Sequence, residues 1–229
     1  MTNWGPLESN PDVFNKFLAR IGVSPLWNIE DIYGIDEVLL AAVSMPLKAL
    51  IFLFPCSESY EAYVASQNAE PDAHNTGHPA GLFYMRQYAR NACGTVALVH
   101  AVLNNPDIEL EPGSPLYSFL ERAKAANPED RGKMFESDAA IREIHQVLAT
   151  EGQTAAPHPD DEVYHHFIAF VHAEGRLYEL DGSKRRGPIE HGPTTPENLL
   201  HDAVAVCKQY IERDPGEVGF SMMGLVPTQ

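Results

Sequence analysis

Basic residues are scarce in this chain. It has 229 residues, with 16 Lys and Arg against 32 Asp and Glu, a formal net charge of −16. A protein that neutralises phosphates needs a basic face, so nucleic acid is not an expected partner. An anionic membrane surface is disfavoured for the same reason. Cysteine is scarce too: only Cys56, Cys93 and Cys207 occur. An odd number of widely spaced thiols is not a disulfide framework, and it suits a reducing compartment. Long apolar runs are missing. The longest, residues 39–43 and 49–54, are far too short to span a bilayer. The start, Met1-Thr2-Asn3-Trp4-Gly5-Pro6, has no basic cluster or apolar stretch, so no signal peptide is expected. The expectation is a cytoplasmic protein, with nuclear entry left open. No Gly-x-Gly-x-x-Gly or Walker loop is present, so nucleotide chemistry is not expected. There is no Cys-x-x-Cys or His-Glu-x-x-His either, and His74 and His78 sit in a polar stretch. No metal and no cofactor are expected.

What is present is an ordinary globular composition, 44% hydrophobic and 21% charged. The length suits a single domain, residues 1–229. Asn10-Pro11 followed by Phe14, Phe17, Leu18 and Ile21, then Gly22, predicts a capped amphipathic helix. Residues 49–54 read as a buried strand, and residues 57–80 as a polar surface loop. Helices are expected over 93–103, 116–126 and 138–148, the last capped by Ser137. Residues 150–162 hold Gly152, Pro157, Pro159, Asp160 and Asp161 without periodicity, a long exposed loop of the kind that carries function. Strands follow at 166–172 and 176–181. A helix beginning near Thr195-Pro196 and a strand at 218–226 complete the chain. Helices and strands are mixed, so the class is α/β or α+β.

The thiols separate by position. Cys207 lies on the apolar stripe of its helix, a core position. Cys56 follows Pro55 and has no evident activating neighbour. Cys93 opens an apolar helix, where unpaired N–H groups and the positive end of the helix dipole favour a thiolate. It is a candidate nucleophile; the alternative is a small buried residue starting a core helix. A thiol nucleophile needs a base, and the base an orienter. If the hairpin turns between Ala173 and Glu174, His166 faces Asp181 on the partner strand. A one-residue slip would present His165 instead. Glu179 shares a face with Asp181 and competes as orienter. The bland reading, a strand opening and a turn, stays open on pattern alone.

Several stretches are nevertheless distinctive. They are Trp4-Gly5-Pro6-Leu7-Glu8-Ser9-Asn10-Pro11, Asp31-Ile32-Tyr33-Gly34, and Gln87 through Asn91-Ala92-Cys93-Gly94-Thr95. Later come His166-Phe167-Ile168-Ala169-Phe170-Val171 and Leu177-Tyr178-Glu179-Leu180-Asp181-Gly182. In this order they resemble the ubiquitin C-terminal hydrolase family of cysteine deubiquitinases, in its short single-domain form. The resemblance implies Cys93 as nucleophile, His166 as general base and Asp181 as its orienter. Gln87 would donate its side-chain amide to the oxyanion, beside the Cys93 N–H. It also settles the hairpin in favour of His166 over His165 and Glu179.

The implied fold is α+β, a papain-like α–β–α arrangement with a central antiparallel sheet and a knotted backbone, which general topology rules would reject. Residues 149–163 would be the active-site crossover loop that limits leaving-group size. The few residues after the last strand leave out the extension of longer members. The implied activity is hydrolysis of small adducts from the C-terminal glycine of ubiquitin by a monomer, with no cofactor or metal. The alternatives are a ubiquitin-binding protein without catalysis, or a hydrolase for another ubiquitin-like modifier. The acidic surplus would attract ubiquitin's basic tail.

Overall fold

The computed structural model describes residues 3–69, 79–154, 163–184 and 186–229, with the side chains of 66–69 excepted. Six strands form one antiparallel sheet: β1 (Trp27–Asp31), β2 (Ala49–Pro55), β3 (His165–Ala173), β4 (Arg176–Leu180), β5 (Ile189–Pro193) and β6 (Ser221–Pro227). Their spatial order is β1-β6-β2-β3-β4-β5. The described helices are α1 (Pro11–Ile21), α2 (Glu37–Leu40), α3 (Glu58–Ala69), α4 (Cys93–Leu103), α5 (Pro115–Ala123), α6 (Pro128–Ser137), α7 (Ala139–Leu148) and α8 (Leu199–Arg213).

The pleat sorts side chains into two cores, one on each sheet face. Ala49, Ile51, Phe167, Ala169 and Val171 join a core with residues of α1, α4, α5 and α7. Leu50, Phe52, Phe54, Ile168 and Phe170 join a second core with residues of α2 and α8. This is the α–β–α layering. It explains why β2 reads as an unbroken apolar run: both of its faces are covered. The same holds for α4, whose residues 93–102 are all buried. An all-round apolar helix is a central helix, and α4 is packed against β2 and β3.

Local chemistry sets the element ends. The Asn10 side chain accepts from the Asp12 N–H at 2.9 Å, and Gly22 at φ +89° closes α1. Asp138, rather than Ser137, caps α7, accepting from the Ile141 N–H at 3.0 Å. Residues 58–69 form α3 where a loop was expected. Ser57 Oγ accepts from the Tyr60 N–H at 3.1 Å, and Tyr60 packs on Phe54 and Tyr210. Its polar surface conceals that anchor in the sequence; residues 70–78 lie outside the described residues. The β3–β4 hairpin turns on Glu174 (φ +47°) and Gly175 (φ +77°), one residue later than expected. Ala169 therefore pairs with Leu180 and Ala173 with Arg176. Each residue's partner moves by two positions, so the face is preserved. His166 and Asp181 stay on one face as diagonal neighbours rather than directly opposed ones.

Candidate active site

Three elements meet at the sheet end near Cys93. The first is α4, which begins at Cys93 itself. The preceding loop is pinned by the N-terminal segment: the Trp4 N–H donates to the Arg90 carbonyl at 3.1 Å, and Asn91 Nδ2 donates to the Trp4 carbonyl at 3.0 Å. Asn91 takes the left-handed conformation, φ +61°, which asparagine tolerates better than most residues. Ala92 at the cap offers no side-chain acceptor. The Cys93 sulfur instead faces the backbone N–H groups of Gly94 and Phe167. Gly94 allows this crowding, since a Cβ there would stand 3.3 Å from the Phe167 ring and 3.4 Å from Leu7 Cβ.

His166 is the second residue of β3, paired with Phe54, whose ring meets the imidazole edge-on at 5.8 Å. Its Nε2 bonds Asp181 Oδ1 at 2.7 Å, and the ring is also hydrogen-bonded to the Cys93 thiol. Asp181 directly follows β4 and is 1% exposed. Its Oδ1 also accepts from the Ser183 N–H at 2.9 Å and the Ser183 hydroxyl at 2.7 Å. Tyr84 donates its hydroxyl to the Asp181 carbonyl at 2.8 Å and holds the turn from below.

The charges follow from these contacts. Burial works against an ionised Asp181, but the charge and hydrogen bond of His166 hold its carboxyl well below the usual carboxylate range. Burial also works against an imidazolium at His166. The Asp181 carboxylate outweighs it and raises His166 well above 6.5. Burial opposes a Cys93 thiolate in turn, yet the hydrogen bond and charge of His166 bring the thiol down. Both shifts favour a thiolate beside an imidazolium over the neutral pair.

Gln87 sits beside this relay. Its N–H donates to the Gly182 carbonyl at 2.9 Å, and its Nε2 donates to the Ala89 carbonyl at 3.1 Å. A Cβ on Gly182 would lie 3.1 Å from Gln87 Cβ and 3.0 Å from Val96 Cγ1, so a side chain there would press on Gln87 and Val96. His165 pairs with Pro55 and lines the cleft without entering the His166–Asp181 contact. Glu179 is engaged elsewhere. It takes Lys184, His191 Nε2 at 2.8 Å and the Tyr210 hydroxyl at 2.9 Å. Burial would raise Glu179, but Lys184 and His191 bring it down to about 2.

Sequence reasoning missed Ser183 and Tyr84. Ser183 carried a readable signal, because an Asp two residues before a backbone N–H is a common side-chain turn. Tyr84 carried none, since its contact with Asp181 spans 97 residues. Cys56, read as lacking neighbours, lies within electrostatic reach of His166 and Cys93, and burial pushes its thiol up.

A cleft of about 390 Å³ opens beside Cys93, lined by Leu7, Glu8, Leu53, Leu148, Val163 and Phe167 among others. Glu8 supplies a carboxylate to its wall. That carboxylate accepts from the backbone N–H groups of Gln153 (3.1 Å) and Thr154 (2.9 Å) and from the Thr154 hydroxyl (2.6 Å). The Thr154 hydroxyl, acting against partial burial, lowers Glu8 to about 2. Glu8 thus fastens the N-terminal segment to the entry of the expected crossover loop. Residues 155–162 of that loop lie outside the described residues. Among the described residues, no group of three or more His, Cys, Asp or Glu side chains is arranged to hold a metal ion.

A buried thiol, an imidazole and a carboxylate in series on an α–β–α fold define the class of cysteine hydrolases. Residues 4–212 match the model of ubiquitin carboxyl-terminal hydrolase family 1, and the chain belongs to that family. It is 47% identical to a ubiquitin carboxyl-terminal hydrolase of Drosophila melanogaster, with 100% of both chains covered. It is 41% identical to ubiquitin carboxyl-terminal hydrolase isozyme L1 of Rattus norvegicus over 96% of each chain. Among solved structures, the Trichinella spiralis UCH37 catalytic domain, crystallised bound to ubiquitin vinyl methyl ester, has the same fold. Its TM-score is 0.79 at 24% identity, covering 100% of this chain and 97% of that one.

Proposed function

We propose that this protein is a cysteine-type deubiquitinase that hydrolyses small adducts from the C-terminal glycine of ubiquitin. The observation that carries the reading is the buried relay from Cys93 through His166 to Asp181. The names of its full-length relatives support the substrate class. Cys93 thiolate attacks the carbonyl carbon of the terminal glycine, and the carbonyl π electrons move onto oxygen. The Cys93 N–H and the Gln87 amide stabilise that oxyanion. Gln87 Nε2 carries a second N–H besides the one bonded to the Ala89 carbonyl, and loss of Gln87 is expected to cost about 2.7–4 kcal/mol of transition-state stabilisation. His166 donates its proton to the leaving amine as the C–N bond breaks, leaving a thioester on Cys93. Neutral His166 then takes a proton from water, whose oxygen attacks the thioester. Collapse expels the thiolate and frees the ubiquitin carboxylic acid, which gives its proton to solvent; His166, holding the proton taken from water, is again the imidazolium beside Cys93.

The narrow cleft beside Cys93 suits a glycine-ended tail, because only glycine lets a chain pass close walls. The acidic surplus favours approach of a basic tail. The Glu8 latch on residues 153 and 154 holds the loop entry over the cleft and favours small leaving groups. Cys93→Ala is expected to abolish turnover of a fluorogenic ubiquitin C-terminal amide, with unchanged circular dichroism and retained ubiquitin binding. Turnover within tenfold of the wild type would overturn the assignment of Cys93. Equal cleavage of small amides and long isopeptide-linked chains would overturn the substrate size.

A further inference from the structure

The Asp181 carboxylate is used unevenly. Its Oδ1 takes three hydrogen bonds, from His166 and twice from Ser183. Its buried Oδ2 takes none among the described residues. The charge facing Oδ2 is the Lys184 ammonium at 3.9 Å, too far to donate a hydrogen bond but well within Coulomb range. We propose that Lys184 is a positioning residue acting through Asp181: its ammonium supplies the countercharge for the oxygen that His166 leaves unbonded, and so limits how strongly Asp181 holds the imidazolium. The proposal rests on the hydrolase reading and deepens it.

The geometry around Lys184 fixes that charge in place. Its side chain is 11% exposed, between two carboxylates that are each 1% exposed. Glu179 binds the ammonium on one side, and the Tyr210 hydroxyl of α8 lies 3.4 Å away. His191 of β5 approaches Glu179 from the sheet edge. Tyr60 and Tyr63 of α3 face the cluster, and Arg213 of α8 stacks on Tyr63 at 3.8 Å and Tyr210 at 4.9 Å. Tyr84 donates to the carbonyls of both Asp181 and Lys184, so one hydroxyl sets the turn that brings the ammonium back to the carboxylate. Burial opposes the Lys184 charge, but Glu179 and Asp181 outweigh it and raise the group above its usual range. Both neighbouring carboxylates thus favour the charged form of Lys184.

A fixed cation behind Asp181 lowers the pH at which Cys93 ionises and the pH at which His166 gives up its proton. Removing it moves both limbs upward. Glu179 could take up a proton when Lys184 is lost, so the informative comparison is E179Q against E179Q/K184M, where no carboxylate compensates. A buried ion pair replaced by neutral groups usually still folds. The pH dependence of Cys93 carbamidomethylation by iodoacetamide, read by mass spectrometry, reports the thiolate without any ubiquitin turnover. The upper limb of kcat/KM on a fluorogenic ubiquitin amide reports His166. Both limbs are expected about half a unit to one unit higher in the double variant. K184M should shift in the same direction, and K184R should restore the wild-type profile. Coincident profiles for E179Q and E179Q/K184M, both folded by circular dichroism, would overturn the proposal. So would a loss of thermal stability with unmoved limbs, which is the result for a merely structural counterion. If the wild type turned over no ubiquitin substrate, the hydrolase reading would fail instead, while the alkylation limbs would still read Lys184.

Discussion

Two imidazoles, His145 buried and His166 partly buried, bond to side chains two residues apart in the first turn of α4, and their proton affinities are moved in opposite directions. His166 meets Cys93 and Asp181. His145 meets the Thr95 hydroxyl through Nδ1 at 2.7 Å and the Gly5 carbonyl through Nε2 at 2.6 Å. A carbonyl only accepts, so Nε2 of His145 carries the proton and Nδ1 accepts from Thr95. Burial acts on both rings in the same direction, against the charged form. At His145, where both hydrogen-bond partners are neutral, burial prevails and drives the ring down to about 4. At His166 the Asp181 carboxylate reverses the outcome. The identity of one partner, rather than depth, separates a structural histidine from a proton carrier.

The largest test of that contrast is Asp181→Asn. It gives His166 a neutral partner and turns it into a second His145. The imidazolium loses its countercharge, and the Cys93 thiolate loses the cation that stabilises it. Turnover of a fluorogenic ubiquitin amide is expected to fall by about 10³–10⁴-fold, by analogy with neutralised orienters in other hydrolases. Cys93 alkylation should need a higher pH than in the wild type. A loss smaller than tenfold, in a variant with wild-type circular dichroism, would mean that Asp181 does not set the charge of His166.

The same contrast predicts opposite slopes of stability with pH. His145 and His100 are both lowered to about 4 by burial, against 6.5 when unfolded. Between those values the unfolded chain binds more protons than the folded one. Their stabilisation is therefore complete above 6.5 and lost as pH falls toward 4, by up to about 3 kcal/mol each. His166 has the opposite sign. Its raised folded value makes its contribution complete below 6.5, and this is lost as pH rises through the folded value. The carboxylates of Glu8 and Glu179, both lowered to about 2, weaken only below about 4.5. Urea melts between pH 7 and 4.5 should thus report the two neutral histidines. His145→Gln should remove about half of the slope, and an unchanged slope would refute the neutral assignment of His145.

How much of this was legible in the sequence differs between the two clusters. Cys93 was visible because a polar stretch gives way to an apolar helix at that residue. His166 and Asp181 were visible as a face-sharing pair because strand parity survives a two-residue error in register, although it would not survive a one-residue error. Choosing His166 over His165 took the family resemblance. The Glu179 network was not legible, since Lys184, His191 and Tyr210 reach it from a turn, an edge strand and a helix. His145 lies on the buried face of α7, but its partners Gly5 and Thr95 are 140 and 50 residues away. Helix α3 was hidden by composition, and α6 by its nearly polar sequence, with only Gly132 and Phe135 buried. Core periodicity survives in a single chain; polar contacts between distant segments leave no local pattern.

The smallest expected effect is the sharpest check on whether the two clusters are independent. Thr95→Val keeps the shape of the side chain but removes the hydroxyl that donates to His145 Nδ1. A buried acceptor left without its donor costs about 1–3 kcal/mol, so the midpoint of urea unfolding should drop modestly. His145 keeps its bond to Gly5, and Trp4 still lies over its ring at 4.5 Å, so the N-terminal segment should stay docked. The Thr95 hydroxyl bonds to His145, and Asp181 is the main influence raising His166. Turnover of the ubiquitin amide should therefore change by less than about twofold, with both pH limbs in place. A tenfold loss at unchanged limbs would show that His145 acts on the site through the Trp4–Asn91 contact that holds the loop before Cys93. A moved limb would show that the two imidazoles share one electrostatic environment, and that the partner-by-partner account of their charges is wrong.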